Sequence, residues 1–165
     1  MIQRDLYARL AELEISYEEI SHPAVFTVAE ANALEQQLDG ADCKNLFLAD
    51  RRGERFFLVV LTADKKANIK AISKLTGVPN LRFASAEQLQ NILRLIPGSV
   101  TPLGILHDQN NLVTVLIDRD LEHQPLQCHP NVNTKTMVLA YEDLIKFIEQ
   151  EQHSWMLFDA QSQVL

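Results

Sequence analysis

Two runs decide the fold: Cys43-Lys44-Asn45-Leu46-Phe47-Leu48-Ala49-Asp50 and Arg55-Phe56-Phe57-Leu58-Val59-Val60-Leu61-Thr62, joined by Arg51-Arg52-Gly53-Glu54. Both are strand-length and rich in branched and aromatic residues, and a glycine lies between them. This predicts an antiparallel hairpin with Gly53 in the turn. The second run is apolar at every position from Phe56 to Leu61, so both faces of that strand need cover. It is predicted to be a central strand with helices above and below.

Working outward, Leu6, Leu10 and Leu13 share one face of a first helix, and residues 15–21 alternate as a short strand that His22-Pro23 ends. Thr27-Val28-Ala29-Glu30 has capping-box spacing and opens a helix to about residue 38, closed by Gly40. After the hairpin, Asp64 is placed to cap a helix running to Leu75, with Ile69, Ile72 and Leu75 inward and Gly77 beyond its end. Residues 81–84 form a strand candidate, and Ser85-Ala86-Glu87-Gln88 is a second capping box. Its helix runs toward Pro97. Residues 103–107 and 112–118 then read as a second hairpin, 119–122 as a helical turn, 135–139 as a strand and 141–150 as a helix. Trp155, Met156, Leu157 and Phe158 follow as an apolar cluster, which reads either as packing back on the domain or as a surface for a partner. The fold class is α+β (mixed α/β): one mixed, mainly antiparallel sheet flanked by helices. The whole chain, 1–165, forms a single domain with 151–165 as its tail.

The composition, 47% hydrophobic and 22% charged, is that of a globular chain able to bury a core without staples. A net charge of −7 excludes a protein that grips nucleic acid over its whole surface but leaves room for a local basic patch. Basic residues do cluster, at Arg51, Arg52 and Arg55 and at Lys65, Lys66, Lys70 and Lys74, whereas acidic residues gather toward the two ends. Cys43 and Cys128 have no Cys-x-x-Cys spacing, which fits a reducing compartment and no zinc framework. With neither a signal-peptide pattern at Met1-Ile2-Gln3-Arg4-Asp5 nor an apolar run of membrane-spanning length, a cytoplasmic location away from membranes is expected.

Chemistry points first to Ile96-Pro97-Gly98-Ser99-Val100-Thr101-Pro102-Leu103-Gly104. Two prolines remove donors and restrict φ, and Gly98 opens φ values closed to other residues, so this loop has few shapes available. It reads either as a rigid backbone cradle for a small substrate or as a tight connection between two elements. Lys44 suits a phosphate anchor or a solvated surface site. His129, in Gln127-Cys128-His129-Pro130-Asn131-Val132-Asn133-Thr134, suits a donor to a ribose hydroxyl, a base, or plain exposure. His22, His107, His123 and His153 lack the spacing of a metal site. No nucleophile elbow and no phosphate-cradling glycine loop occurs.

Four segments in register nevertheless form a specific combination: His22-Pro23-Ala24-Val25-Phe26-Thr27-Val28, Lys44-Asn45-Leu46-Phe47-Leu48-Ala49-Asp50, Gly98-x-x-x-Pro102 with Leu103-Gly104, and His129-Pro130 with Asn133-Thr134. Together they resemble the freestanding homologues of the prolyl-tRNA synthetase editing domain, and the Lys-Asn-Leu-Phe-Leu run is most similar to the branch that deacylates alanyl-tRNA(Pro). The resemblance implies a trans-editing aminoacyl-tRNA deacylase. It implies that Lys44 binds a phosphate near the terminal adenosine and that Asn45 helps hold that end. Gly98, Ser99, Val100, Thr101 and Pro102 would shape the aminoacyl pocket and orient ester and water, and His129 would position the terminal nucleotide or aminoacyl group. No metal or other cofactor is implied, and a substrate ribose hydroxyl would assist the water. Asn131 departs from the apolar residue usual after His-Pro, and His107 from a small polar one.

The partner implied is the acceptor end of mischarged tRNA(Pro), held by a patch including Lys65, Lys66 and Lys70. Prolyl-tRNA synthetase and an elongation factor are the candidate transient partners, and oligomeric state is left open. Alanine is smaller than proline, and a pocket built for the larger side chain rejects the smaller only through lost contacts, about 1–3 kcal/mol per methylene. A second, tighter hydrolytic site restores accuracy. The alternatives are deacylation of cysteinyl-tRNA(Pro) or another aminoacyl-tRNA on the same scaffold, and a non-catalytic tRNA-binding module.

Overall fold

The computed structural model describes residues 5–23 and 39–160. The helix expected over residues 27–38 lies outside them. Helix α1, Leu6–Glu12, starts where the Asp5 carboxylate accepts from the amides of Tyr7 and Ala8, and it buries Leu6 and Leu10. Strand β1, Glu18–Ser21, follows. The hairpin of β2, Cys43–Ala49, and β3, Phe56–Thr62, is antiparallel in the register Cys43↔Thr62 to Ala49↔Phe56. Its turn closes with the Gly53 amide on the Asp50 carbonyl, Gly53 taking φ +70°. The Asp50 side chain caps the amides of Glu54 and Arg55.

After helix α2, Ile69–Thr76, the chain forms β4, Arg82–Phe83, and helix α3, Ala86–Leu93. The Ser85–Gln88 capping box of α3 is present in both directions. Next come a 3₁₀ helix, Pro102–His107, strand β5, Val113–Asp118, and a 3₁₀ turn, Arg119–Leu121. Strands β6, Leu126–Cys128, and β7, Lys135–Leu139, precede helix α4, Tyr141–Gln150, and strand β8, Trp155–Phe158.

The strands run β4-β2-β3-β5-β8 in a five-stranded sheet and β1-β7-β6 in a three-stranded one. Four of the strand pairings are antiparallel; β3–β5 and β5–β8 are parallel. The mixed, mainly antiparallel class therefore holds, but the strands divide into two ladders where the sequence reading has one. Among the described residues a single isolated parallel bridge, Ala41↔Leu126, links them at the entrance to β2. Strand β3 is central, and its residues Phe56 to Leu61 are all buried. Its alternate residues feed two cores: Phe56, Leu58 and Val60 face one built with α1, α3, α4 and the small sheet, while Phe57, Val59 and Leu61 face one closed by Ile72, Val78 and Leu81. That two-sided burial is why an uninterrupted apolar run was required.

Local expectations are corrected at three places. The α2 cap is Asn68, whose side chain accepts from the Ala71 amide, not Asp64. Residues 103–107 are not a hairpin strand: Pro102 presets a helical φ, the Thr101 hydroxyl accepts from the Leu103 amide, and the segment winds into 3₁₀ turns. Strand β5 thus has no antiparallel partner beside it in sequence and pairs in parallel with β3 and β8. The apolar cluster 155–158 is that last strand, paired with β5 at the edge of the large sheet, which decides for packing back on the domain. Among the described residues, no helix is long and apolar enough to cross a membrane.

Candidate functional site

The β-strand alternation separates the two polar residues at the start of β2. Cys43, Phe47 and Ala49 pack on the larger core and Leu46 and Leu48 on the smaller. Asn45 therefore points with Phe47 toward the small sheet and α3, and Lys44 points with Leu46 toward the α2 side. The Asn45 side-chain oxygen is buried without a hydrogen-bond partner among the described residues. Lys44 is half-buried.

The bridge from Ala41 to Leu126 carries β6 alongside the entrance to β2, with the Gln127 amide donating to the Ala41 carbonyl and that of Ala41 to Pro125. It places Cys43 near Cys128. Burial pushes the Cys128 thiol up to about 12, and burial followed by the Cys128 charge raises that of Cys43, so neither is a nucleophile at neutral pH.

His129 follows β6 directly. Its Nδ1 lies 3.0 Å from the Lys135 carbonyl oxygen, which can only accept. The proton is therefore assigned to Nδ1, and Nε2 carries the lone pair. Burial, reinforced by His22 and opposed by the Lys135 bond, lowers the His129 pKa and keeps the ring neutral. His22 stands edge-on to it at 6.5 Å between ring centres and is itself held by Nδ1 to the Pro23 carbonyl, 2.8 Å, and Nε2 to the Thr136 hydroxyl, 2.8 Å. Beside them, Asn131 takes φ +66° and Asn133 is 8% exposed. The Asn131 Oδ1 and Asn133 Nδ2 atoms are buried without partners among the described residues. These two amides were not among the candidate site residues; Asn131 was visible in sequence only as a polar residue at a place where an apolar one is usual.

The glycine-proline loop is held by its own hydroxyls. Ser99, 1% exposed, donates through Oγ to the Ile96 carbonyl at 2.8 Å, accepts from the Ile96 amide at 3.3 Å, and sends its amide back to the same carbonyl. Thr101, fully buried, caps the 3₁₀ helix through Leu103, and its carbonyl accepts from Gly104. Gly98 takes φ +93°. The amides of Gly98, Val100 and Thr101 donate to no acceptor among the described residues. Gly104 is where the loop meets the core: a Cβ there would lie 2.8 Å from Leu95 Cδ1. Ser99 and Thr101 are thus spent on shape, and what remains to offer a ligand is backbone N–H.

The basic candidates divide. Lys65 reaches the carboxylates of Asp118 at 2.8 Å and Asp120 at 2.7 Å. Burial alone would lower its pKa, but these two partners raise it. Lys66 and Lys70 are exposed on the α2 side, the side to which Lys44 points. The structure therefore brings together His129 with His22, and Asn45 with the entrance to β6, while Lys44, Lys66 and Lys70 share the other face of the large sheet.

Among the described residues the candidate groups are buried amides, a neutral histidine and a loop held by its own hydroxyls. Comparison with known proteins supplies the reaction class. The sequence profile of the aminoacyl-tRNA editing domain matches residues 22–147. The chain is 38% identical over 143 residues to the prolyl-tRNA editing protein ProX of Acetoanaerobium sticklandii, covering 86% of this chain and 87% of that one. It is 38% identical over 156 residues to prolyl-tRNA synthetase associated domain-containing protein 1 of Danio rerio, covering 93% and 84%. The fold also matches a crystal structure described as that of a candidate trans-editing enzyme for prolyl tRNA synthetase, with a TM-score of 0.72, 18% identity, and 93% and 92% of the two chains covered. The chain belongs to the aminoacyl-tRNA editing domain family, and its reaction class is hydrolysis of the ester of an aminoacyl-tRNA.

Proposed function

We propose that this protein edits in trans, hydrolysing the ester that joins a wrong amino acid to tRNA(Pro), with alanine as the amino acid removed. The observation that carries the reading is the loop at residues 98–102. Its two hydroxyls are engaged with its own backbone, and the amides of Gly98, Val100 and Thr101 have no acceptor among the described residues. Such amides stabilise the oxyanion formed as water attacks the ester carbonyl, and they cost no reorganisation at the moment of reaction. Water adds to the carbonyl carbon, the tetrahedral centre collapses, and the 3′-oxygen of the ribose leaves with a proton.

The substrate's neighbouring ribose hydroxyl holds the attacking water, and His129 Nε2, an acceptor by its tautomer, takes a hydrogen bond from the terminal nucleotide or the aminoacyl group. Asn45 supplies a buried acceptor for a donor on that same end. Lys44 meets a phosphate, and Lys66 and Lys70 extend the attraction. Lys65 acts through its ion pairs, fixing the turn from which Lys66 projects. Ser99, Val100, Thr101 and Pro102 wall the aminoacyl pocket, and the stiffness of that wall excludes proline.

The test is multiple-turnover hydrolysis of tRNA(Pro) charged separately with alanine, cysteine and proline, by wild type and Lys44→Ala. Selective loss of alanine, suppressed in the variant mainly through KM, supports the reading. Preference for cysteine moves the protein to the cysteinyl-tRNA(Pro) branch, and no hydrolysis of any of the three overturns the deacylase assignment in favour of a binding module.

A further inference from the structure

We propose that the exposed side of α2 and the β2–β3 turn form one continuous track for the phosphates of a double-stranded RNA stem. The stem is the acceptor stem of the tRNA whose charged end enters the site, so the inference rests on the editing reading above. From Lys65 to Ala86 the sequence has no aspartate or glutamate, in a chain carrying 22 acidic residues and a net charge of −7. Lys66, Lys70, Lys74 and Arg82 in that stretch are all exposed. Lys70 and Lys74 stand one turn apart on α2, and Ile72 anchors the helix in the core.

Topology orders these charges in a line. Helix α2 follows the end of β3, beside the entrance to β2, where Lys44 pairs with Leu61. Strand β4 returns to the other end of β2, pairing Phe83 with Leu48 and Arg82 with Ala49. Alternation puts Phe83 with Leu48 on the α2 face and turns Arg82 with Ala49 toward the other face at the sheet's edge, so basic residues mark both ends of β2, about 20 Å apart for a strand of this size. At the far end, Arg82 donates to the Arg51 carbonyl at 3.3 Å and so ties the track to Arg51 and Arg52, both exposed. Phe83, 58% exposed on the α2 face, adds an apolar surface for a ribose.

Among the described residues, none of Lys66, Lys70, Lys74, Arg51, Arg52 and Arg82 forms an ion pair, whereas Lys65 and Arg9 each meet two carboxylates. Acidic groups along the way are Asp64, Glu54 and Glu87, all exposed, Asp42, half-buried at the entrance to β2, and Asp50, which is engaged with the turn amides. A narrow line of uncompensated cations on an otherwise acidic surface attracts a line of phosphates. Duplex RNA, recognised through its backbone and 2′-hydroxyls, presents one of matching extent.

The test compares wild type with Arg51→Gln/Arg52→Gln/Lys74→Gln, whose three exposed side chains make no internal hydrogen bond. Anisotropy of an uncharged, labelled RNA hairpin with the tRNA(Pro) acceptor stem is measured across salt concentrations. The variant is expected to bind roughly 10-fold more weakly near physiological salt, with a log K against log salt slope shallower by about one per cation removed. In hydrolysis, KM for charged tRNA rises at constant kcat, and a charged single-stranded CCA fragment is cleaved equally by both proteins. Equal affinity and equal slope overturn the track, as does wild type that fails to bind the hairpin or prefers anionic vesicles or acidic peptide to it. If no charged tRNA is hydrolysed while hairpin binding still depends on the three residues, the editing reading falls and the track stands.

Discussion

At the scale of single residues, His129 shows how little of a side chain's chemistry its type determines. In the loop reading it could be exposed and titrating; in the fold, burial lowers its pKa and the Lys135 carbonyl selects its tautomer. The proton balance follows. Because the folded pKa lies below the ordinary 6.5, the unfolded chain binds the proton more tightly between the two values. Stability from this residue is complete above about pH 6.5 and declines as pH falls toward the folded value. Activity follows the same neutral form: kcat/KM is expected to be flat through neutrality and to fall on acidification with a midpoint below 6.5. His129→Ala should remove that acid limb and lower kcat/KM about 10-fold or more, read from pH–rate profiles of both proteins. A wild-type midpoint above 6.5 would contradict the burial argument.

Among elements, the loop and the 3₁₀ helix after it behave as one unit. Pro102 starts the helix, Thr101 caps it, and Gly98 takes a left-handed φ that a Cβ strains. Gly98→Ala is expected to cost about 1 kcal/mol in stability and to depress kcat far more than that loss implies, by moving the loop amides. Urea melts beside single-turnover rates separate the two effects. His153 secures the unit from below: its ring, 6% exposed, sits with Nδ1 3.1 Å from the Val113 carbonyl and Nε2 3.2 Å from that of Ile105. His153→Ala leaves a cavity and strips both carbonyls of a neighbour, a loss of about 2–4 kcal/mol by chemical denaturation. Sequence alone presented His153 only as a histidine without metal spacing; its partners lie 40 and 48 residues away.

On the scale of the whole molecule, the ion pair between Lys65 and the buried Asp118 joins the end of β3 to the end of β5. Asp118 also accepts from the Thr62 and Asp120 amides. Removing the lysine leaves a buried carboxylate with amide donors but no counter-charge. Lys65→Met is expected to destabilise the fold by about 3 kcal/mol, in contrast to near-neutral Lys66→Met, whose side chain is exposed. Equal melting points for the two variants would make Lys65 a free surface cation instead. Strand β8 has a comparable role, because it covers the β5 edge in register from Val115↔Trp155 to Asp118↔Phe158. Ending the chain before Trp155 should bare that apolar edge and produce concentration-dependent aggregation, seen by light scattering.

What the sequence determined by itself was local and periodic: the β2–β3 hairpin with Gly53 in its turn, the two-sided burial of β3, the capping box at Ser85, the Gly77 end of α2, and the positive φ at Gly98. Each follows from neighbouring residues, through strand alternation, an N-cap oxygen or a restricted φ. The family resemblance likewise read from short segments whose order along the chain is preserved. Tertiary structure alone decided which strands pair in parallel, that the sheet divides at the Ala41–Leu126 bridge, that Lys44 and Asn45 face opposite cores, and that Lys65 is held by carboxylates while Lys66 and Lys70 remain exposed. Parallel pairing, ion pairing and buried amides depend on residues tens of positions apart, and no local propensity records which distant group will arrive.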